Sequence, residues 1–246
     1  MVPLKGTFEV AIQHRFGTVG NGWEDMAGIF APANIRLGFN YVPINDLMLG
    51  FGLCKNNRVW DANLKYAIIK QSKEGGWPVS ITYYGNMAAD LRPMEGTFAI
   101  NEDRLSYFHQ LMIARKVTSK LSLQVSVSLS HFNNVAGYFN AEGDISPRMM
   151  NDHIAIALMG RYKITEKFAL IGNYDQPLTD HPTDNPSPSL SGGIEMGTSG
   201  HSFQLFVTNY QNIVPQYNNM FNQNNFQKLQ SYLIGFNITR KWNFSK

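Results

Sequence analysis

The sequence predicts an all-β fold, a single transmembrane antiparallel up-and-down β-barrel of about 12 strands occupying residues 1–246, and three observations carry that expectation. The first is a period of two, clearest in KLSLQVSVSLSHF at 120–132, where Leu or Val at every second position alternates with Ser122, Gln124, Ser126 and Ser128. Successive side chains of a strand point to opposite faces, so one face here is aliphatic and the other small, polar and uncharged. A sheet facing bulk water usually shows Lys and Glu; this polar face suits a hydrated interior, which turns the aliphatic face outward. The second observation is that the links between strands alternate between short and long. The third is that aromatic residues gather near the short links.

Taken in order, the first strand is expected over 7–16, where Phe8, Val10 and Ile12 alternate with Glu9, Ala11 and Gln13. The second is 34–42, with Ile35, Leu37, Phe39 and Tyr41 against Arg36, Gly38 and Asn40. The third, 46–54, sets Leu47, Leu49, Phe51 and Leu53 against Met48, Gly50 and Gly52. The fourth, 58–70, sets Trp60, Leu64 and Ile68 against Asp61, Asn63 and Lys65. The fifth is 77–87; the sixth, 104–116, has apolar residues on both faces, which leaves its register open. The seventh is 120–132, followed by 152–162, 167–176, 189–197, 201–211 and 230–244. Each is near the roughly 9–11 residues that cross a bilayer at a tilt.

Links after even strands are tight, at 43–46, 71–76, 117–120, 163–167 and 198–201. Links after odd strands are long, at 17–33, 88–103, 133–151, 177–188 and 212–229, with 55–57 the exception. Alternate connections of an up-and-down barrel share one end. The pattern therefore reads as short periplasmic turns and long extracellular loops of a bacterial outer-membrane barrel, with both termini at the turn end. Tyr41, Tyr66, Trp77, Tyr162, Phe168, Phe203, Trp242 and Phe244 cluster near the short turns or the C-terminus, as an interfacial girdle does. The opposite faces nominate the interior wall: Glu9, Gln13, Arg15, Arg36, Asn40, Asp61, Asn63, Lys65, Gln124, Glu195 and Lys241. Inward glycines at 38, 50, 52, 193 and 235 make room there for bulky neighbours or for water.

Composition narrows the function. Charged residues are 16% and aromatics 13% of the chain, mean hydropathy is −0.23, and no run approaches the roughly 18 apolar residues of a spanning helix. The net charge of +3 is scattered rather than patched, which argues against a nucleic-acid partner. Cys54 is single, so it forms no disulfide within the chain and no CxxC metal knuckle. The six histidines, 14, 109, 131, 153, 181 and 201, show no HExxH spacing and are expected in the interior or in loops. No GxSxG elbow occurs, and Ser130 and His131, as adjacent strand residues, face opposite ways. No catalytic residue, cofactor or metal is therefore expected. MVPLKGTFEV at the start has no apolar core of a signal peptide, so an export signal is expected to have been removed.

Two long loops, 133–151 and 211–229, mix Asn and Gln with Tyr, Phe and Met. They would fold over the barrel or grip a sugar or protein, or remain surface loops whose aromatics pack on each other. The link 177–188 is proline-rich and reads as a rigid arm. The expected partners are outer-membrane lipid and, in one reading, a protein at the long loops.

The stretches HRFG at 14–17, NIRLGFNY at 34–41, LKYAIIKQ at 64–71 and LIGFNITRKWNF at 233–244 resemble the Bacteroidota outer-membrane β-barrel proteins grouped as a DUF5777-like family of unknown function. The similarity spans nearly the whole chain. It implies an outer-membrane location and no established activity. Around eight strands leave a barrel interior filled by side chains and sixteen leave an aqueous channel, so a barrel between these limits reads first as a narrow, weakly selective pore for small polar solutes. A closed barrel that docks partners through its long loops is the alternative, and an outer-membrane lipase or protease is a weaker one.

Overall fold

Alternation along the chain becomes a row of long strands, each hydrogen-bonded to its sequence neighbours. A computed structural model describes residues 2–72 and 75–244, so the expected turn at 71–76 lies partly outside the described residues. The wall strands are β1 (Thr7–Thr18), β2 (Asn34–Ile44), β3 (Leu47–Cys54), β4 (Val59–Ile69), β5 (Ser80–Asp90), β6 (Leu105–Lys116), β7 (Leu121–Phe132), β10 (Asp152–Lys163), β11 (Phe168–Pro177), β12 (Ser189–Gly197), β13 (His201–Thr208) and β14 (Leu233–Asn243). Within the 133–151 loop, β8 (Gly137–Phe139) and β9 (Ile145–Pro147) form a separate hairpin. The twelve wall strands close into one antiparallel barrel. Closure pairs β1 with β14, bringing Glu9 opposite Lys241 and Phe8 opposite Trp242. It leaves no sheet edge, which a hydrocarbon surrounding requires because nothing there can hydrogen-bond to one.

Three strands differ from the expected bounds by three residues, each for a local reason. The fifth begins at Ser80 instead of 77 and runs on to Asp90; Pro78 has no N–H to give the ladder. The eleventh ends at Thr208 instead of 211, where the Asn209 side-chain oxygen accepts from the Leu190 N–H at 2.7 Å in place of a backbone partner. The twelfth begins at Leu233 instead of 230, because 229–231 forms a 3₁₀ turn. The open register of β6 is settled by its neighbours. Leu111 lies opposite Val127 and Ile113 opposite Val125, which turns Phe108 and Met112 inward.

The two faces are inverted relative to a protein built for water. Val125 and Leu158 on the outside are 50% and 53% exposed, whereas Ser128 inside is 7% exposed and Ser130 fully buried. An aliphatic band around the whole barrel is far larger than the few hundred Å² that soluble proteins leave bare. Hydrocarbon is the medium in which this arrangement is stable.

The interior is not uniformly filled. Between β13 and β14 the chain turns inward and forms a short helix, α1 (Pro215–Phe221), with proline at its first position, where a missing N–H costs nothing. Val214, Tyr217 and Met220 recur every third residue and form a buried cluster with Cys54, Val59, Ala88, Phe132 and Met149. The Phe132 ring meets those of Tyr217 and Phe221 edge-on, each at 4.9 Å between centroids. Met220 is fully buried, and burying a side chain of that size contributes about 1.5–3 kcal/mol. The loop end of the barrel is thereby occupied by a segment of its own chain.

Candidate functional site

Between α1 and the turn end the interior holds a cavity of about 240 Å³. Its lining is mostly polar, with the carboxamides of Gln13, Asn40, Asn63, Gln204 and Asn237, the charged Glu9 and Arg36, and the hydroxyls of Tyr84 and Thr239, beside the apolar Ala11 and Met48. The eleven residues nominated for the interior wall fall into separate groups. Arg36 and Asp61 make a bidentate pair, Nε to Oδ2 at 2.8 Å and a terminal nitrogen to Oδ1 at 2.7 Å. Glu9 and Lys241 meet across the seam at 3.4 Å. On the opposite wall Arg161 donates to Glu195 at 2.8 Å, and Gln204 donates to the other Glu195 oxygen at 2.9 Å. Gln124 reaches Met159 Sδ at 3.1 Å. Arg15 is 5% exposed, donates to Asn237 Oδ1 at 3.0 Å, and lies over the Phe206 ring at 4.5 Å. Lys65 stands between Met48 and Tyr84 on neighbouring strands.

The inward glycines of β3 make room for neighbours. A Cβ on Gly52 would lie 2.2 Å from the Arg36 guanidinium and 2.4 Å from Asp61 Oδ2. The Arg36–Asp61 pair thus bridges β2 to β4 across a strand with no side chain in the way. At Gly50 a Cβ would lie 2.1 Å from Asn40 Oδ1 and 2.6 Å from Asn63 Oδ1, so the same device lets two amides approach.

A chain of hydrogen bonds runs from this wall to α1. Asp61 Oδ1 accepts from Asn86 Nδ2 at 2.8 Å, and Asn86 Oδ1 accepts from Gln216 Nε2 at 2.9 Å. Gln216 Nε2 also lies 3.3 Å from Ser106 Oγ, Asn219 Nδ2 donates to Ser128 Oγ at 3.1 Å, and Asn222 Nδ2 donates to Ser189 Oγ at 3.1 Å. These contacts on Gln216, Asn219 and Asn222 escape the strand-by-strand reading. Their only sequence signal is the three-residue spacing of Val214, Tyr217 and Met220 among polar amides.

The loops above α1 interlock. Arg148 pairs with Asp184 at 3.1 Å, Ser187 N–H donates to Asn222 O at 2.7 Å, and Gln223 Nε2 donates to Asp184 O at 2.9 Å. His153 on the wall faces His181 of the 178–188 loop, with Nδ1 and Nε2 2.9 Å apart and rings stacked at 5.1 Å. His181 Nδ1 accepts the Met150 N–H at 2.9 Å. Burial pulls the His181 pKa below its ordinary value, with Asp180 opposing weakly.

Four histidines expected in the interior or loops lie instead on the outward face. His109 is held by the Tyr83 hydroxyl at 2.6 Å, His131 by Asp152 at 2.8 Å and His201 by Arg240 at 3.0 Å, while His14 stacks on Phe236 at 4.9 Å. A hydrogen-bond partner satisfies the ring of the first three, which lets it sit among apolar neighbours; among the described residues His14 Nδ1 is buried without one and the ring is held by stacking alone. Ser130 points inward and His131 outward, so they cannot act together. Of the aromatics expected at the turn end, Tyr41, Tyr66, Tyr162, Phe168, Phe203 and Trp242 face outward from strands. Trp77 precedes β5 and Phe244 follows β14, both exposed.

The fold has solved relatives at low identity. A NanC porin structure aligns with a TM-score of 0.54 at 11% identity, over 94% of this chain and 97% of that one. An outer membrane channel from Pseudomonas putida F1 aligns with a TM-score of 0.54 at 12% identity, over 98% and 97%. The KdgM porin aligns with a TM-score of 0.50 at 9% identity, over 97% and 99%. No curated protein matches the chain. A family model described as a membrane-bound β-barrel domain matches residues 1–242, and the chain belongs to that family, DUF5777.

Proposed function

We propose that the chain is an outer-membrane barrel providing a narrow, weakly selective route for small polar solutes, shut at its loop end by α1 in this conformation. The short turns then face the periplasm and the long loops the exterior. The observation that carries the reading is the way α1 is held. Its polar contacts to the wall are amide-to-hydroxyl and amide-to-amide bonds without a salt bridge among the described residues, each worth about 0.5–1.5 kcal/mol net. Water can replace such bonds without stranding a charge. The KdgM porin, whose fold this chain shares, has been solved in complex with disordered oligogalacturonate, and that supports a solute route at the level of the fold.

Planar-bilayer conductance tests the reading. The native chain should show rare openings, and replacing 215–221 by a Gly-Ser linker should give steady single-channel steps. A linker variant that keeps the heat-dependent gel mobility of a folded barrel yet stays silent would overturn it.

The alternative, a closed barrel that docks partners, is favoured by the interlocked loops and by bare apolar tips on them, Trp23 at 87% and Ile145 at 76% exposed. A silent linker variant would move the argument there. The weaker enzyme reading gains no support from Ser130 and His131, which the wall separates.

A further inference from the structure

We propose that the cavity at the turn end binds a small, acidic, polyhydroxylated molecule, of the hydroxy-acid or sugar-acid class. This rests on the solute-route reading and adds the chemistry of the solute. Two independent features of the wall support it.

The first is the fixed orientation of the amides. Gln13 uses its carbonyl oxygen to accept from Arg36 at 2.9 Å and, among the described residues, keeps its NH₂ free. Asn40 uses its NH₂ on Glu9 at 2.9 Å and keeps its oxygen. Asn63 gives its NH₂ to Asp61 at 3.4 Å and also keeps its oxygen. With the Thr239 hydroxyl, the wall presents donors and acceptors interspersed in set positions. Ligand hydroxyls each donate and accept, so a polyol matches such a surface where a simple ion does not.

The second feature is unbalanced charge. Among the described residues Arg15, Arg36, Lys65 and Lys241 face carboxylates only from Glu9 and Asp61 on the β14–β1–β4 side of the interior. Arg36 has Asp61 and Lys241 has Glu9. Among the described residues, Lys65 has no carboxylate within 4.0 Å and no hydrogen-bond acceptor, and Arg15 has no carboxylate. Lys65 is half-buried beside the cavity, between the lining residues Met48 and Tyr84, and the carboxylate whose field reaches it, Glu9, is already paired with Lys241. An ammonium removed from water without a carboxylate in contact is costly, and a carboxylate beside it forms the stronger, charge-assisted kind of hydrogen bond. A ligand with one carboxylate and several hydroxyls satisfies both features together.

Calorimetric titration of the purified barrel in detergent with gluconate, glucose and acetate tests this. Gluconate should bind at least about tenfold more tightly than either of the others, since each lacks one half of the match. Lys65→Met should weaken gluconate about tenfold, the loss of one charge-assisted bond, and leave glucose within about twofold. Lys65→Arg should retain most of the gluconate affinity. Gel mobility confirms folding of each variant. Equal affinity for gluconate and glucose, or for gluconate and acetate, overturns the proposal, as does a native barrel that binds none of the three. Conductance of the linker variant without any gluconate binding would sink the acid site and leave the solute route standing; binding without conductance would do the reverse.

Discussion

Asp61→Asn keeps the shape of the side chain and removes only its charge. Asp61 is 1% exposed and accepts Arg36 at 2.7 and 2.8 Å, Asn86 at 2.8 Å and Asn63 at 3.4 Å. An amide there leaves the Arg36 guanidinium, whose side chain is 12% exposed, without a counter-charge, and sets NH₂ hydrogens against donors on one side. Breaking a buried pair by removing one partner costs about 3–5 kcal/mol. Arg36 borders the cavity, where water can partly hydrate it, so the expected cost is at the lower end, about 3 kcal/mol. Glu9→Gln makes the same chemical change at the seam. There Lys241 is 48% exposed and 3.4 Å away, and a screened pair of that kind contributes about 0–1 kcal/mol. The two variants should therefore differ by about 2 kcal/mol or more in urea unfolding of vesicle-inserted barrel, followed by tryptophan fluorescence and gel mobility. Because Asn86 connects Asp61 to Gln216 on α1, Asp61→Asn should also raise the frequency of channel openings. Equal costs at the two sites, or a larger one at Glu9, would refute the division of the interior into a dry paired zone and a wet one.

Further outcomes are expected elsewhere. Val125→Arg should destabilise the inserted barrel by about 2–4 kcal/mol if near the bilayer midplane, while Arg at the interior Gln124 should cost under about 1 kcal/mol; similar losses at both in the vesicle assay would invert the assigned faces. Gly52→Ala places a methyl within 2.4 Å of both Arg36 and Asp61 and should cost about 1–3 kcal/mol by overpacking, so an unchanged urea midpoint would mean the pair does not cross β3. The His153–His181 contact has one proton between two nitrogens and a Met150 N–H on the far side, so an added proton must break a bond. Since burial depresses the His181 pKa, its contribution is complete above about pH 6.5 and is lost as pH falls below that, where the unfolded chain takes up the proton first. Protease cleavage in the 178–188 loop should rise between pH 7.5 and 5, and His181→Gln should flatten the rise; a native profile independent of pH counts against the latch.

The barrel was legible because its signals are local. Alternation at Leu121–Leu129 needs no knowledge of distant residues, and closure of an even-stranded barrel forces strand one beside the last, which is why the Glu9–Lys241 approach follows from sequence. β6 resisted because Phe108 and Met112 are apolar yet face inward, one of them fully buried near the α1 end, so periodicity alone could not orient it. The plug was hidden for a different reason. A seven-residue helix is far below the roughly 12–15 residues at which helices hold in isolation, so α1 exists through contacts with strands up to about a hundred and thirty residues away, such as Gln216 with Asn86. The pairing of Arg36 with Asp61 also depended on geometry, since it needs Gly52 between them, and an inward glycine reads equally as room for water.

The serine face of β7 now has a physical reason. On the β1–β4 wall the inward polar residues are long, Gln13, Arg36 and Lys65, and they reach across bare glycines to one another. On β7 they shorten to Ser126, Ser128 and Ser130 in the half where α1 lies, and longer side chains there would occupy the space the helix fills. Ser128 accepts Asn219 from the plug at 3.1 Å and lies 3.4 Å from the Ala155 carbonyl, while Ser126 accepts Gln110 at 3.0 Å. Among the described residues Ser130 Oγ and Gln216 Oε1 are buried without a partner, which makes the seat less than fully satisfied and weakens the hold on α1. These positions carry no paired charges, whose separation costs several kcal/mol each, so on this side α1 is held by amide–hydroxyl bonds and elsewhere by the apolar cluster of Val214, Tyr217 and Met220. Hydroxyls facing carboxamides can exchange each other for water, so on the proposed solute route the serines that seat the helix would line the passage.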